Sequence, residues 1–168
     1  HERCGGQIPA GLLRTVVPAS PDAWCAALER WGTKSFAETA APALACAEHG
    51  FPLSVFSSYQ FGRAADKIAR FPTSAALYLK DGQGLPPGHL LVEMELAQTI
   101  KTMAAAELGA RGRGRAGAIR AARDAFYKGD IARSIAEYHA REGGLLTTED
   151  LSEFSVEIAP ALKTSFGE

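Results

Sequence analysis

The chain alternates short amphipathic runs with glycine- or proline-marked breaks, the pattern of a layer of helices. Trp24, Leu28 and Trp31 recur at helical spacing behind Ser20-Pro21-Asp22. There a capping serine, a first-turn proline and an aspartate facing the helix dipole predict a helix start. Gly32 predicts its end. Ser35-x-x-Glu38 has the form of a capping box. Phe36, Thr39, Ala40, Ala43, Leu44 and Ala47 then give the next helix an apolar face. Pro42 falls inside that run and has no N–H, so a break is expected there, with Pro42 opening a second short helix that stops at Gly50. Leu53 to Arg70 predicts a helix with a weak point at Gly62. Ala75 to Leu79 fits a helix or a strand equally well. Residues 81–88, Asp-Gly-Gln-Gly-Leu-Pro-Pro-Gly, read as a loop. Glu93 to Leu108, with Leu96, Ile100 and Met103 in register, predicts a long helix.

Both ends read differently from the middle. Residues 1–12 are glycine-rich and aperiodic, so a loop is expected. Leu13 to Val17 precedes Pro18 and should be extended. Ala116 to Ala125 predicts a helix. Phe126-Tyr127-Lys128-Gly129-Asp130 predicts a turn led by two aromatics. Ile131, Ile135 and Tyr138 then mark a short amphipathic helix, which Gly143-Gly144 stops. Thr147 to Asp150 places a hydroxyl and two carboxylates ahead of Leu151 and Phe154, close to a capping box. Phe154 to Ile158 alternates apolar and polar, the period of a half-buried strand, and Pro160 closes it. Leu162 to Phe166 is a second candidate strand. The expected class is mainly α with a short C-terminal β segment.

Composition narrows the partners. The 168 residues are 46% hydrophobic and 22% charged, which suits one globular domain or a large piece of one. A net charge of -1 gives no global field toward nucleic acid or an anionic membrane. No apolar run reaches the roughly 18 residues of a membrane-spanning helix. The polar start His1-Glu2-Arg3-Cys4 carries no secretory signal or initiator methionine, and a piece of a longer polypeptide is expected.

Side-chain chemistry is sparse. Cys4, Cys25 and Cys46 form neither a C-x-x-C pair nor a zinc pattern, and are expected to be unpaired thiols. His1, His49, His89 and His139 are scattered and are expected at the surface or at helix ends. No nucleophile elbow, zincin motif or phosphate loop is present. Glu149-Asp150 fits capping better than acid–base chemistry. Tyr127-Lys128 reads as a packed tyrosine beside a solvated lysine. Arg111-Gly112-Arg113-Gly114-Arg115 could touch nucleic acid, but no aromatic is interleaved, so a flexible solvated loop is expected. No catalytic, cofactor-binding or metal-binding residue is assigned.

The order Phe126-Tyr127-Lys128-Gly129-Asp130-Ile131-Ala132, Gly143-Gly144-Leu145-Leu146-Thr147, Glu149-Asp150-Leu151 resembles the large subunit of the γ-glutamyltransferases. Val17-Pro18-Ala19, Trp31-Gly32-Thr33 and Pro42 to Phe51 resemble further phrases of that family. Ala19 stands where the family usually has glycine, which implies a backbone that does not need positive φ. The Arg-Gly run looks like an insertion. The resemblance implies a partial piece of an αββα N-terminal-nucleophile hydrolase sandwich. Residues 1–168 would be a single incomplete domain, with 13–153 mostly a helical layer and 154–168 strands entering the catalytic sheet. It also implies a self-cleaving precursor whose nucleophilic threonine lies beyond Glu168, and a substrate-binding arginine before His1. The whole enzyme would cleave γ-glutamyl amides of the glutathione type and pass the glutamyl group to water or an amino acid. The implied partners are the rest of the same precursor and that small-molecule substrate; family members are commonly exported. A related amide acylase and a free-standing helical interaction module are the alternatives.

Overall fold

The computed structural model describes residues 5–166. Its mainly helical architecture agrees with the expected class. The described residues divide into two compact units, one of residues 5–36 and 105–166, the other of residues 37–104.

In the second unit, α2 (Phe36–His49) runs unbroken through Pro42. The predicted break is absent. Pro42 removes only one internal bond, and five alanines between Ala37 and Ala45 hold the flanking turns in the best helical residue type. Gly50 then leaves the helix at φ 85°. The predicted helix from Leu53 to Arg70 divides into α3 (Val55–Arg63) and α4 (Ala65–Ile68). The division falls beside the weak point Gly62. A Cβ on Gly84 would lie 2.4 Å from the Gly62 nitrogen, so Gly84 meets this helix backbone to backbone.

The undecided stretch is both things: α5 (Pro72–Tyr78) followed by β2 (Leu79–Lys80). β2 pairs antiparallel with β3 (Gln83–Gly84). Asp81 (φ 52°) and Gly82 (φ 76°) make the turn between them. Positive φ at both central residues is what a two-residue hairpin requires. The Asp-Gly pair therefore builds a hairpin where a loop was expected. β1 (Phe51–Pro52) pairs antiparallel with β4 (Leu90–Leu91). Leu53, Leu85 and Leu91 form a buried cluster, packed by Phe61, Leu77 and Tyr78. The Phe61 and Tyr78 rings stack at 4.9 Å. α6 (Met94–Gly109) matches the long predicted helix.

In the first unit, α1 (Ser20–Trp31) packs on α7 (Gly114–Tyr127), and α7 on α8 (Asp130–Glu142) and α9 (Thr148–Glu153). Cys25, Ala118, Ile119, Ala122, Phe126, Tyr127, Ala132 and Leu151 are buried here. Trp24 and Trp31 keep 57% and 68% of their surface, so α1 turns the Asp22-Cys25 face inward and the tryptophans outward. Ala19 has φ -90°, as glycine's replacement there implied. Leu12–Arg14 is a 3-10 turn where an extended segment was expected. Gly11 at φ 114° turns the chain into it, and the backbone is extended by Thr15.

Two further expectations change. Arg111–Arg113 forms a 3-10 turn leading straight into α7, and Arg115 donates to the carbonyls of Leu28 (2.8 Å) and Glu29 (3.0 Å). The Glu29 carbonyl lies in the last turn of α1, and the Leu28 carbonyl also accepts the Gly32 N–H at 3.0 Å. The Arg-Gly run is an exposed 3-10 turn and helix start with a capping arginine, rather than an irregular loop. Residues 154–166 join no β-ladder among the described residues, so neither predicted strand is formed. A period-two pattern makes a strand only when a neighbouring backbone pairs with it. Here side chains take that role.

Candidate functional site

The sequence-flagged residues do not converge on one centre. Cys46 is a free thiol and exposed; Cys25 is free and buried. Burial, reinforced by the Asp22 carboxylate, pushes the Cys25 thiol up to about 12. Such a thiol is inert as a nucleophile near neutrality. Cys4 and His1 lie outside the described residues. His49 and His89 are exposed. His139 is not; it is 4% exposed at the end of α8. Its Nδ1 accepts the Leu146 N–H at 3.3 Å, and its carbonyl accepts the Gly144 N–H at 2.7 Å. Gly143 caps α8 in the left-handed conformation, φ 76°. Gly144 has a different job: a Cβ there would lie 2.1 Å from His139 Nδ1.

Thr147 and Asp150 form the capping box that the spacing predicts. Thr147 Oγ1 accepts the Asp150 N–H at 3.1 Å, and Asp150 Oδ2 accepts the Thr147 N–H at 2.9 Å. The Thr147 side-chain and backbone hydrogen bonds hold the Asp150 carboxyl below its ordinary value. Lys128 is solvated and pairs with Asp124 at 3.1 Å.

The polar centre of the first unit is built around Tyr127, Asp22 and Arg123, of which the sequence pattern marks only Tyr127 as a packed residue. Tyr127 is fully buried at the end of α7. Its hydroxyl donates to the Pro18 carbonyl and accepts the Asp22 N–H at 3.1 Å. α1 has no side-chain cap of its own, because Ser20 lies inside the helix. The Tyr127 hydroxyl supplies the missing acceptor from another helix. Burial is the main cause that raises the Tyr127 pKa, and the phenol stays protonated in the neutral range.

Asp22 is 4% exposed. Its Oδ1 accepts from Arg123 Nε, and its Oδ2 accepts the Val156 N–H at 2.7 Å. Arg123 also donates to the Phe154 carbonyl and to Asp124 Oδ1, the latter at 3.1 Å. The Arg123 guanidinium lies 5.0 Å from the Tyr127 ring centre, and that ring stacks on Phe154 at 5.8 Å. Burial lowers the Arg123 pKa, but Asp22 and Asp124 together hold it above its ordinary value. The pair is largely buried. Beyond each other, the two side chains meet the Phe154 carbonyl, the Val156 N–H and the Asp124 carboxylate. No group of three metal-ligating side chains forms among the described residues.

The family model described as gamma-glutamyltranspeptidase matches residues 4–168. The chain belongs to the gamma-glutamyltranspeptidase family. It is 32% identical over 156 residues to the acylase ACY 1 proenzyme of Pseudomonas sp. (strain V22), covering 93% of this chain and 25% of that one. It is 29% identical over 132 residues to the glutathione hydrolase proenzyme of Bacillus subtilis (strain 168), covering 79% and 20%. The crystal structure of Helicobacter pylori gamma-glutamyltranspeptidase superimposes with a TM-score of 0.77 at 24% identity, covering 92% of this chain and 42% of that one. That likeness concerns the fold. The chain spans about a quarter of the length of the curated relatives it matches. No helix among the described residues is long and apolar enough to cross a membrane.

Proposed function

We propose that this chain is a scaffold portion of a self-cleaving γ-glutamyltransferase-like enzyme. The family match over residues 4–168 carries this reading. Two observations support it. The buried Asp22–Arg123 pair is engaged with main chain at residues 154 and 156 and with Asp124. Large apolar side chains are exposed in each unit, Trp31 and Leu162 in the first and Val55 and Phe56 in the second, as where more polypeptide covers them.

In the whole enzyme, a threonine freed by self-cleavage would attack the γ-carbonyl carbon of a γ-glutamyl amide. Its own α-amine would take the hydroxyl proton and return it to the departing amine. Preorganised donors would hold the tetrahedral oxyanion. Water or an amino acid would then take the glutamyl group from the ester. The 32% identity to an acylase proenzyme favours a second substrate reading on the same chemistry, another amide such as a β-lactam side chain.

The experiment is to express the full precursor containing this chain and offer it a chromogenic γ-glutamyl anilide and an acylated β-lactam in parallel. Cleavage into two subunits with release from either amide is expected, the anilide supporting the first reading. A precursor that stays intact and releases neither product refutes both.

A further inference from the structure

The Asp22–Arg123 pair addresses residues 154 and 156 with a specific pattern. Arg123 donates to the Phe154 carbonyl, and Asp22 accepts the Val156 N–H at 2.7 Å. In extended backbone, residues i and i+2 direct their main-chain groups to the same edge. Donation to one carbonyl and acceptance from the N–H two residues later are the two bonds that one residue of a parallel neighbouring strand makes. Phe154 is extended, with φ -61° and ψ 137°. We propose that Asp22 and Arg123 are positioning residues that act as a surrogate strand. They satisfy one edge of residues 154–156 and leave the edge of Ser155 and Glu157 open, so the outgoing segment is delivered to the enzyme's sheet in one register.

Stability alone does not account for the pair. A buried ion pair is often matched or bettered by apolar residues of similar volume. An apolar pair, however, could neither donate to Phe154 nor accept from Val156. Register matters because a slip of one residue exchanges the two faces of a strand. The inference rests on the proposed function, since it assumes that the segment leads toward the self-cleaving threonine.

The test uses the full precursor and two readouts. Native-state hydrogen exchange follows the Val156 amide, and gel analysis follows self-cleavage. In Asp22→Ala the Val156 amide should exchange about ten- to a hundredfold faster, the equivalent of one charge-assisted hydrogen bond. The double variant Asp22→Leu/Arg123→Met should melt near the wild-type temperature yet cleave itself at least about tenfold more slowly, as displaced reacting groups do. If the double variant does not fold, Arg123→Lys decides: it keeps the charge opposite Asp22 but loses the forked reach to Phe154. Unchanged Val156 exchange in Asp22→Ala overturns the surrogate strand. Wild-type cleavage rates in the folded double variant, or in Arg123→Lys, overturn the positioning role. A wild-type precursor that never cleaves overturns the proposed function instead, and the exchange result still decides the anchor.

Discussion

Tyr127→Phe is the sharpest probe of the first unit, because it removes one oxygen and leaves the ring. That oxygen serves two partners, the Pro18 carbonyl and the Asp22 N–H. Tyr127 is fully buried and Asp22 nearly so, and water does not replace the hydroxyl at the amide. A buried partner left without its hydrogen bond costs about 1–3 kcal/mol. Pro18 is half-buried and regains part of its loss from solvent. The total is therefore about 2–3 kcal/mol, and at about 1.4 kcal/mol per factor of ten this is a change of about 30- to 150-fold. The assay is hydrogen exchange in the intact precursor, read at the first-turn amides of α1, with Ser20→Ala as control. Ser20 is exposed and caps nothing, so its loss should stay within about 0.5 kcal/mol. If Ser20→Ala loosens that turn as much as Tyr127→Phe does, the tyrosine is not the cap and the reasoning fails.

Gly144→Ala should destabilise by about 2–4 kcal/mol, since its Cβ would strike the buried His139 ring 2.1 Å away and break the Leu146 bond; loss of exchange protection at the end of α8 reports it. Thr147→Ala should loosen α9 by about 1 kcal/mol. In the same variant the Asp150 carboxyl should titrate higher by NMR, because Thr147 is what lowers it. Asp150's contribution to stability is present above its unfolded pKa and disappears as pH falls through the lower folded value. Cys25, raised to about 12, has the opposite sign. Its contribution is complete below the ordinary thiol value of 9.0 and is lost as pH rises toward 12. At mildly alkaline pH an alkylating reagent should label Cys46 and spare Cys25, which mass spectrometry of tryptic peptides would show.

The legible parts of this fold are those whose cause is local. The Thr147 capping box, the Gly143 helix end and the extent of α6 each depend on residues within a few turns, and each is found as predicted, although Leu96 of the expected α6 face is exposed. The failures are non-local. Phe154 to Ile158 has the alternation of a strand, but a strand needs a second backbone, and none of the described residues provides it. Arg115 reads as part of a flexible basic run because its acceptors, Leu28 and Glu29, are 87 and 86 residues away. Pro42 breaks an isolated helix in prospect, whereas the alanines around it sustain the turn in fact. The Asp81-Gly82 hairpin has a local cause, positive φ at both turn residues, although the prolines that follow give the stretch the composition of a loop.

Asp22 shows why family resemblance outran site prediction here. A helix-start aspartate has a sufficient local explanation in the dipole, so nothing in its neighbourhood asks for another. Its burial changes the account, because a carboxylate without partners could not remain at 4% exposure. The partners come from 101 residues away in Arg123 and 134 residues away in Val156. The aromatic-aromatic phrase at 126–127 carries the same message in reverse. Tyr127 closes its own helix, caps another and lies against both Arg123 and Phe154. Motif residues were recognisable as a phrase because several distant constraints meet on each of them. The residues that impose those constraints, Asp22 and Arg123, stand outside any phrase and become visible only when the chain is folded.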